Sequence, residues 1–114
     1  MSSGDKPLVW LHGQVKSPPF SERARIEAGV LLRRLQRGEK FGLPHSRPMP
    51  TIGVRCHELR ITDDDHAWRI MYRIDRDAIL IVEVMAKRTD QTPARVLATC
   101  RRRLQDFDRI VRGE

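Results

Sequence analysis

The run Cys56-His57-Glu58-Leu59-Arg60-Ile61 alternates polar and apolar residues. In a β-strand that period sends successive side chains to opposite faces, so Glu58 and Arg60 point one way while His57, Leu59 and Ile61 point the other. The run Ala67–Ile74 sets Arg69, Met71 and Arg73 against Trp68, Ile70, Tyr72 and Ile74 in the same manner. The apolar set is expected to meet the helices, which leaves Glu58, Arg60, Arg69 and Arg73 on one exposed sheet surface, with Lys87 and Arg88 adding charge at its rim. One carboxylate among several cations suits cleavage of RNA by its own 2′-hydroxyl. Glu58 would take the hydroxyl proton, the cations would stabilise charge on the phosphate, and an acid, left unassigned, would protonate the departing 5′-oxygen. That route needs no metal or cofactor. The competing reading is a cross-strand ion pair of Glu58 with Arg60 or Arg69, worth about 0.2 to 1 kcal/mol.

Other candidates are weaker. His57 titrates in a range suited to proton transfer, but its parity points it into the core unless a bulge turns it; Tyr72 is directed inward by the same parity. His12, His45 and His66 read as ordinary loop or surface histidines. Trp10 and Trp68 can stack on bases, yet each sits in an apolar strand pattern that favours core packing. Arg101 and Arg102, together with Arg95, Arg103, Arg109 and Arg112, make the last helix basic: either it grips RNA phosphates or it is a solvated face.

The elements that must position these groups are legible in outline. Leu8–Leu11 is β-prone and closed by His12-Gly13, with Ser17-Pro18-Pro19 breaking any continuation. Ser21 is a good N-cap, Glu22 suits the first helical turn, and Ala24, Ala28, Leu31, Leu32 and Leu35 recur at three- and four-residue spacing, which predicts an amphipathic helix ending at Gly38. Its outer face carries Arg23, Arg25, Arg33, Arg34 and Arg37, as a solvated helix surface does. Pro44, Pro48 and Pro50 make the stretch from Gly38 to Gly53 an irregular connection. Two strands follow, joined by a turn at Asp63-Asp64-Asp65. Then comes Ala78–Ala86, whose near-continuous apolar character suits a central strand covered on both faces. Thr92 as cap and Pro93 at the first position open a final helix with an apolar stripe at Val96, Leu97, Cys100, Leu104, Phe107 and Val111. The fold class is therefore α+β: an antiparallel meander with an N-terminal strand and helix before it and a C-terminal helix after it.

The chain has 114 residues, enough for one modest core, and is expected to form a disordered tail over residues 1–7 and a single domain over 8–114. Lys and Arg number 22 against 15 Asp and Glu, a net charge of +7 that implies an anionic partner. A membrane is disfavoured, because the longest apolar run, Ala78–Val82, falls far short of the roughly 20 residues that span a bilayer and Met1–Pro7 lacks a targeting pattern. Cys56 and Cys100, the two cysteines, fit neither a disulfide framework nor a metal knuckle, so free thiols in a reducing cytoplasm are expected.

The order strand, helix, meander, helix, with Cys-His-Glu-Leu-Arg at Cys56–Arg60, Trp-Arg-Ile-Met-Tyr at Trp68–Tyr72 and Ala-Lys-Arg-Thr at Ala86–Thr89, resembles the RelE superfamily of bacterial toxins. The segment Pro44–Pro50 running into the His-Glu-Leu-Arg strand is similar to the phage-related HigB branch, and the resemblance extends from Leu8 to Val111. It implies a RelE-like fold and a toxin of a type II toxin–antitoxin system. That toxin would be a cytoplasmic, ribosome-dependent endoribonuclease of messenger RNA, neutralised by a helix-turn-helix antitoxin of the HigA kind. By position, Arg60 matches a strand cation on the scissile phosphate, Arg69 the arginine of the next strand and Arg88 the basic residue after the last strand, with Lys87 beside it. Glu58 stands where some relatives have lysine and where other branches use a glutamate as general base. The tyrosine that some relatives carry after the basic segment has no counterpart, since Ala94 and Arg95 occupy that region. Two other readings stay open: a ParE-like inhibitor of a topoisomerase that cuts no nucleic acid, and an inactive phage remnant that binds RNA or antitoxin. Exposure of Arg69 further implies that Arg69→Ala removes activity without disturbing the fold.

Overall fold

Helix α1 (Glu22–Gln36) begins where the sequence places it. Ser21 Oγ accepts the backbone N–H of Ala24 at 3.1 Å, and the chain leaves the helix through Gly38, whose φ of 97° is available to glycine at little cost. Ala24, Ala28, Leu31, Leu32 and Leu35 are its buried face. The computed structural model describes residues 5–64, 66–87 and 91–113. Around α1 stand β1 (Leu8–Trp10), β2 (Ser46–Pro48), β3 (Cys56–Asp63), β4 (His66–Ile74) and β5 (Ile79–Lys87), and α2 (Ala94–Arg112) closes the chain.

The strands form one five-stranded sheet in the order β1-β5-β4-β3-β2. The expected meander is β3-β4-β5, antiparallel throughout, while β1 adds to β5 in parallel. β2 emerges from the proline-rich stretch that reads as irregular. It pairs antiparallel with β3 at the sheet edge, where Pro48 can be tolerated because no further strand needs its missing N–H. A bulge between Met71 and Tyr72 shifts the β4–β5 register.

Each helix covers its own face of the sheet. Phe20 and α1 pack on Leu59, Ile61, Trp68, Ile70, Tyr72, Ile79 and Ile81. On the opposite face Val96, Cys100 and Leu104 of α2, with Met49 and Ile52, pack on Cys56, Met71, Leu80 and Val82. Burying a side chain of this size contributes about 1.5–3 kcal/mol, so two such layers suffice for one domain. Both cysteines are free and buried within the second layer, where burial pushes each thiol up to about 11.

Several expectations change. Thr92 does not cap α2: the N-cap position is Pro93, without a side-chain bond, and the Thr92 hydroxyl turns to the sheet instead. Val111 is exposed and so falls outside the buried stripe of α2. Trp10 is 42% exposed on its three-residue strand, whereas Trp68 is buried, stacked on Phe20 at 4.0 Å. Residues 5–7, expected within the tail, are tied to the domain: Arg33 Nη2 donates to Asp5 at 2.7 Å, and Lys6 exchanges bonds with Gln36. Among the described residues no helix is long and apolar enough to cross a membrane.

Candidate functional site

The register sets Arg60 opposite Arg69, Glu58 opposite Met71 and Cys56 opposite Arg73. Glu58, Arg60, Arg69 and Arg73 therefore share one face, as strand alternation predicts. That face is not open to solvent, however, because α2 lies over it. Arg60 is exposed, but Glu58 is 1% and Arg69 2% exposed, and Arg73 is buried as well. The expectation that both helices meet the apolar side of β3 and β4 fails here, and the exposed four-residue surface fails with it.

Glu58 is the centre of an ionic cluster built from four elements. Its Oε1 accepts from Arg69 Nη1 at 2.6 Å and from Nε of Arg47, its cross-strand partner on β2, at 3.0 Å. Thr92 Oγ1, just before α2, lies 3.4 Å from Glu58 Oε2 and accepts from Lys87 Nζ at 3.0 Å. Lys87 reaches this point because it stands opposite Ala67 on the same face. A carboxylate pinned in this way positions two guanidinium groups. The expected open position of Glu58 is thus corrected: it is buried as the anchor of Arg47 and Arg69, and its cross-strand ion pair with Arg69 is present in the structure.

Two members of the face reach water. Arg60 is exposed, and the Arg47 side chain is 40% exposed. Both line a small cavity of about 70 Å³ with Pro44, Ser46 and Glu58, and Arg47 also borders a wider groove of about 820 Å³ that runs past Pro48 to Thr92 and Leu97. An anion entering here meets the exposed guanidinium of Arg60 and that of Arg47, the latter already held by Glu58, a preorganisation that phosphate recognition rewards.

The remaining predicted residues lie elsewhere. Arg73 stands four residues along β4 from Arg69, roughly 13 Å away at 3.3 Å per residue. It forms its own network, donating to Asp75 at 2.7 Å and to Asp108 at 2.8 Å. The hydrogen bond to Asp108 is the main reason its pKa is raised, and with both carboxylates in contact it staples β4 to α2 and is not on the open surface expected for it. His57 is half-buried on the α1 face, stacked 5.4 Å from Tyr72, so no bulge turns it toward Glu58. Tyr72 is buried on the α1 face, away from Glu58, with its hydroxyl 2.7 Å from Ser46 Oγ; burial raises its pKa and the Ser46 bond opposes that. Arg101 and Arg102 are exposed on α2, Arg101 bonding the carbonyl of Thr51 at 2.6 Å. Arg88 lies outside the described residues.

The sequence reading missed Arg47, Thr92, Asp75 and Asp108. Arg47 sits on a three-residue strand, too short for periodicity to reveal. Asp108 left a usable signal: it continues the four-residue spacing Val96, Cys100, Leu104, and so belongs to the sheet-facing stripe of α2.

Residues 19–105 match the family described as Phage derived protein Gp49-like, which spans most of the chain, and the chain belongs to that family. Neither the curated proteins nor the solved structures contain a significant match to it.

Proposed function

We propose that this chain is the toxin of a toxin–antitoxin pair and acts on messenger RNA at the ribosome, in the manner of the RelE and HigB toxins that its sequence resembles. Membership of a phage-derived family fits such a mobile genetic element. The observation that carries the reading is the placement of Arg60 and Arg47 at the solvent edge of a face whose interior is held by Glu58, Arg69 and Lys87. In the proposed reaction the two arginines hold the non-bridging oxygens of a phosphodiester, and the RNA 2′-hydroxyl attacks its phosphorus. The bond to the 5′-oxygen breaks, giving a 2′,3′-cyclic phosphate and a 5′-hydroxyl. Proton transfer is left to groups of the ribosome or RNA or to Lys87, since Glu58 serves as anchor. The partners under this reading are the ribosome, its message and a small helix-turn-helix antitoxin, and the compartment is the cytoplasm.

The test is purified ribosomes programmed with messenger RNA. New cuts bearing cyclic-phosphate ends are expected with the protein, and a fall of about 10²-fold or more with Arg60→Ala; an uncut message, under conditions where an active RelE-type toxin cuts, overturns the proposal. The engagement of Glu58 in ion pairs favours one rival, a non-nucleolytic inhibitor of the ParE kind. Inhibition of gyrase supercoiling with messages left intact would establish that rival instead, and unimpeded growth on induced expression would point to an inactive remnant.

A further inference from the structure

At the end of the sheet remote from Arg60, an open groove of about 540 Å³ is lined by Lys6, Lys40, Arg55, Arg73 and Arg76. Asp75 and Asp108 also border it, but both carboxylates are engaged by Arg73. We infer that this groove is a second RNA site, which holds the phosphates of a backbone segment through Lys6, Lys40, Arg55 and Arg76.

Two features set it apart from an ordinary charged surface. Arg55 has a φ of 62°, a left-handed conformation that is uncommon outside glycine and is kept only where the surroundings enforce it. Here they do: Ile74 N donates to the Arg55 carbonyl, and Arg55 Nε donates back to the Ile74 carbonyl, both at 3.1 Å. The outcome is a guanidinium held at the groove with its Nη2 3.7 Å from Asp75. Lys6 is fixed similarly, its ammonium donating to the Asp75 carbonyl at 2.7 Å. Two cations are thus preset, half-buried Lys6 and exposed Arg55, and Lys40 and Arg76 are exposed beside them.

The lining also indicates the kind of anion. Ile74 is its one apolar member among the described residues, so an acidic protein segment would find no pocket for the side-chain anchors that dominate protein–protein affinity. A polyphosphate chain needs only regularly spaced positive charge, and fork-shaped guanidinium donors match phosphate oxygens in pairs. The inference is compatible with ribosomal RNA as the ligand under the function proposed above, but it does not depend on cleavage.

The experiment uses the full chain, a ribosome-free single-stranded RNA oligonucleotide with a fluorescent end label, and a salt titration. Lys40→Ala/Arg76→Ala alters two exposed residues, so circular dichroism should be unchanged. RNA affinity is expected to fall about tenfold, and the slope of log affinity against log salt to become shallower by about 1.4, two phosphate contacts at about 0.7 each. An unaltered slope and affinity overturn the inference. So does polyglutamate binding as tightly as RNA and weakening equally in the variant, which would assign the groove to an acidic protein partner. Because no ribosome is present, a failure here is distinct from a failure of messenger cleavage.

Discussion

Against α1 the sheet presents Leu59, Ile61, Ile70, Ile79 and Ile81, and its aromatic polar atoms are satisfied locally: Trp68 Nε1 donates to Asp63 at 2.9 Å and the Tyr72 hydroxyl meets Ser46. Against α2 the same sheet presents Met71, Leu80 and Val82, but interleaved with Glu58, Arg69, Arg73 and Lys87, all buried. Ions taken out of water gain little net stability even when well paired, and apolar residues of equal volume often do as well. Stability therefore accounts for the apolar layer on α1 and gives no reason for the cluster of charges on the other face. Their arrangement differs too. Arg73 is saturated by two carboxylates, as a staple requires, whereas Glu58 is shared between two guanidinium groups, one of which borders water.

The sharpest way to break this contrast is to remove one ion from the α2 face. Arg69→Ala or Glu58→Ala strips a partner from a buried pair, and each is expected to lower unfolding free energy by about 3–5 kcal/mol in urea denaturation. A loss under about 1 kcal/mol would show the cluster to be solvated. This reverses the expectation that Arg69→Ala spares the fold, and makes loss of activity in that variant uninformative about chemistry.

On the α1 face, Trp68→Phe keeps the ring against Phe20 but leaves Asp63 short of a donor, with an expected cost of about 1–3 kcal/mol by the same measurement. Asp63 also supplies a pH signature. The backbone N–H of Ser21, first, and then the Trp68 indole hold its carboxyl well below the usual range. Its folded pKa lies below the unfolded value of about 3.9, so its stabilisation is complete above that pH and fades as pH falls through the folded value. The gap in Tm between the protein and Asp63→Asn should accordingly narrow below about pH 4; a gap that stays constant through that range would remove Asp63 as its source.

The smallest effect on stability belongs to Arg60→Ala, within about 0.5 kcal/mol because the side chain is exposed. Set beside its large expected effect on message cleavage, it separates the part of the α2 face that holds the fold from the part that meets RNA. Comparable losses in both measurements would merge the two.

Periodicity carried much of this in the sequence. Alternation put Glu58, Arg60, Arg69 and Arg73 on one side of β3 and β4, a Ser21 cap and the Ala24–Leu35 spacing delimited α1, and the Val96–Leu104 stripe marked α2. The continuous apolar run of β5 even required cover on both faces. Applied to its neighbours, that requirement would have set a helix over the arginines. What no local pattern contains is the choice of face for α2. An amphipathic stripe fixes that a helix buries one side, but the layer it covers depends on where the chain re-enters after β5 and on which space α1 has already filled. That packing decision turned four expected surface charges into one exposed arginine and two buried ionic networks.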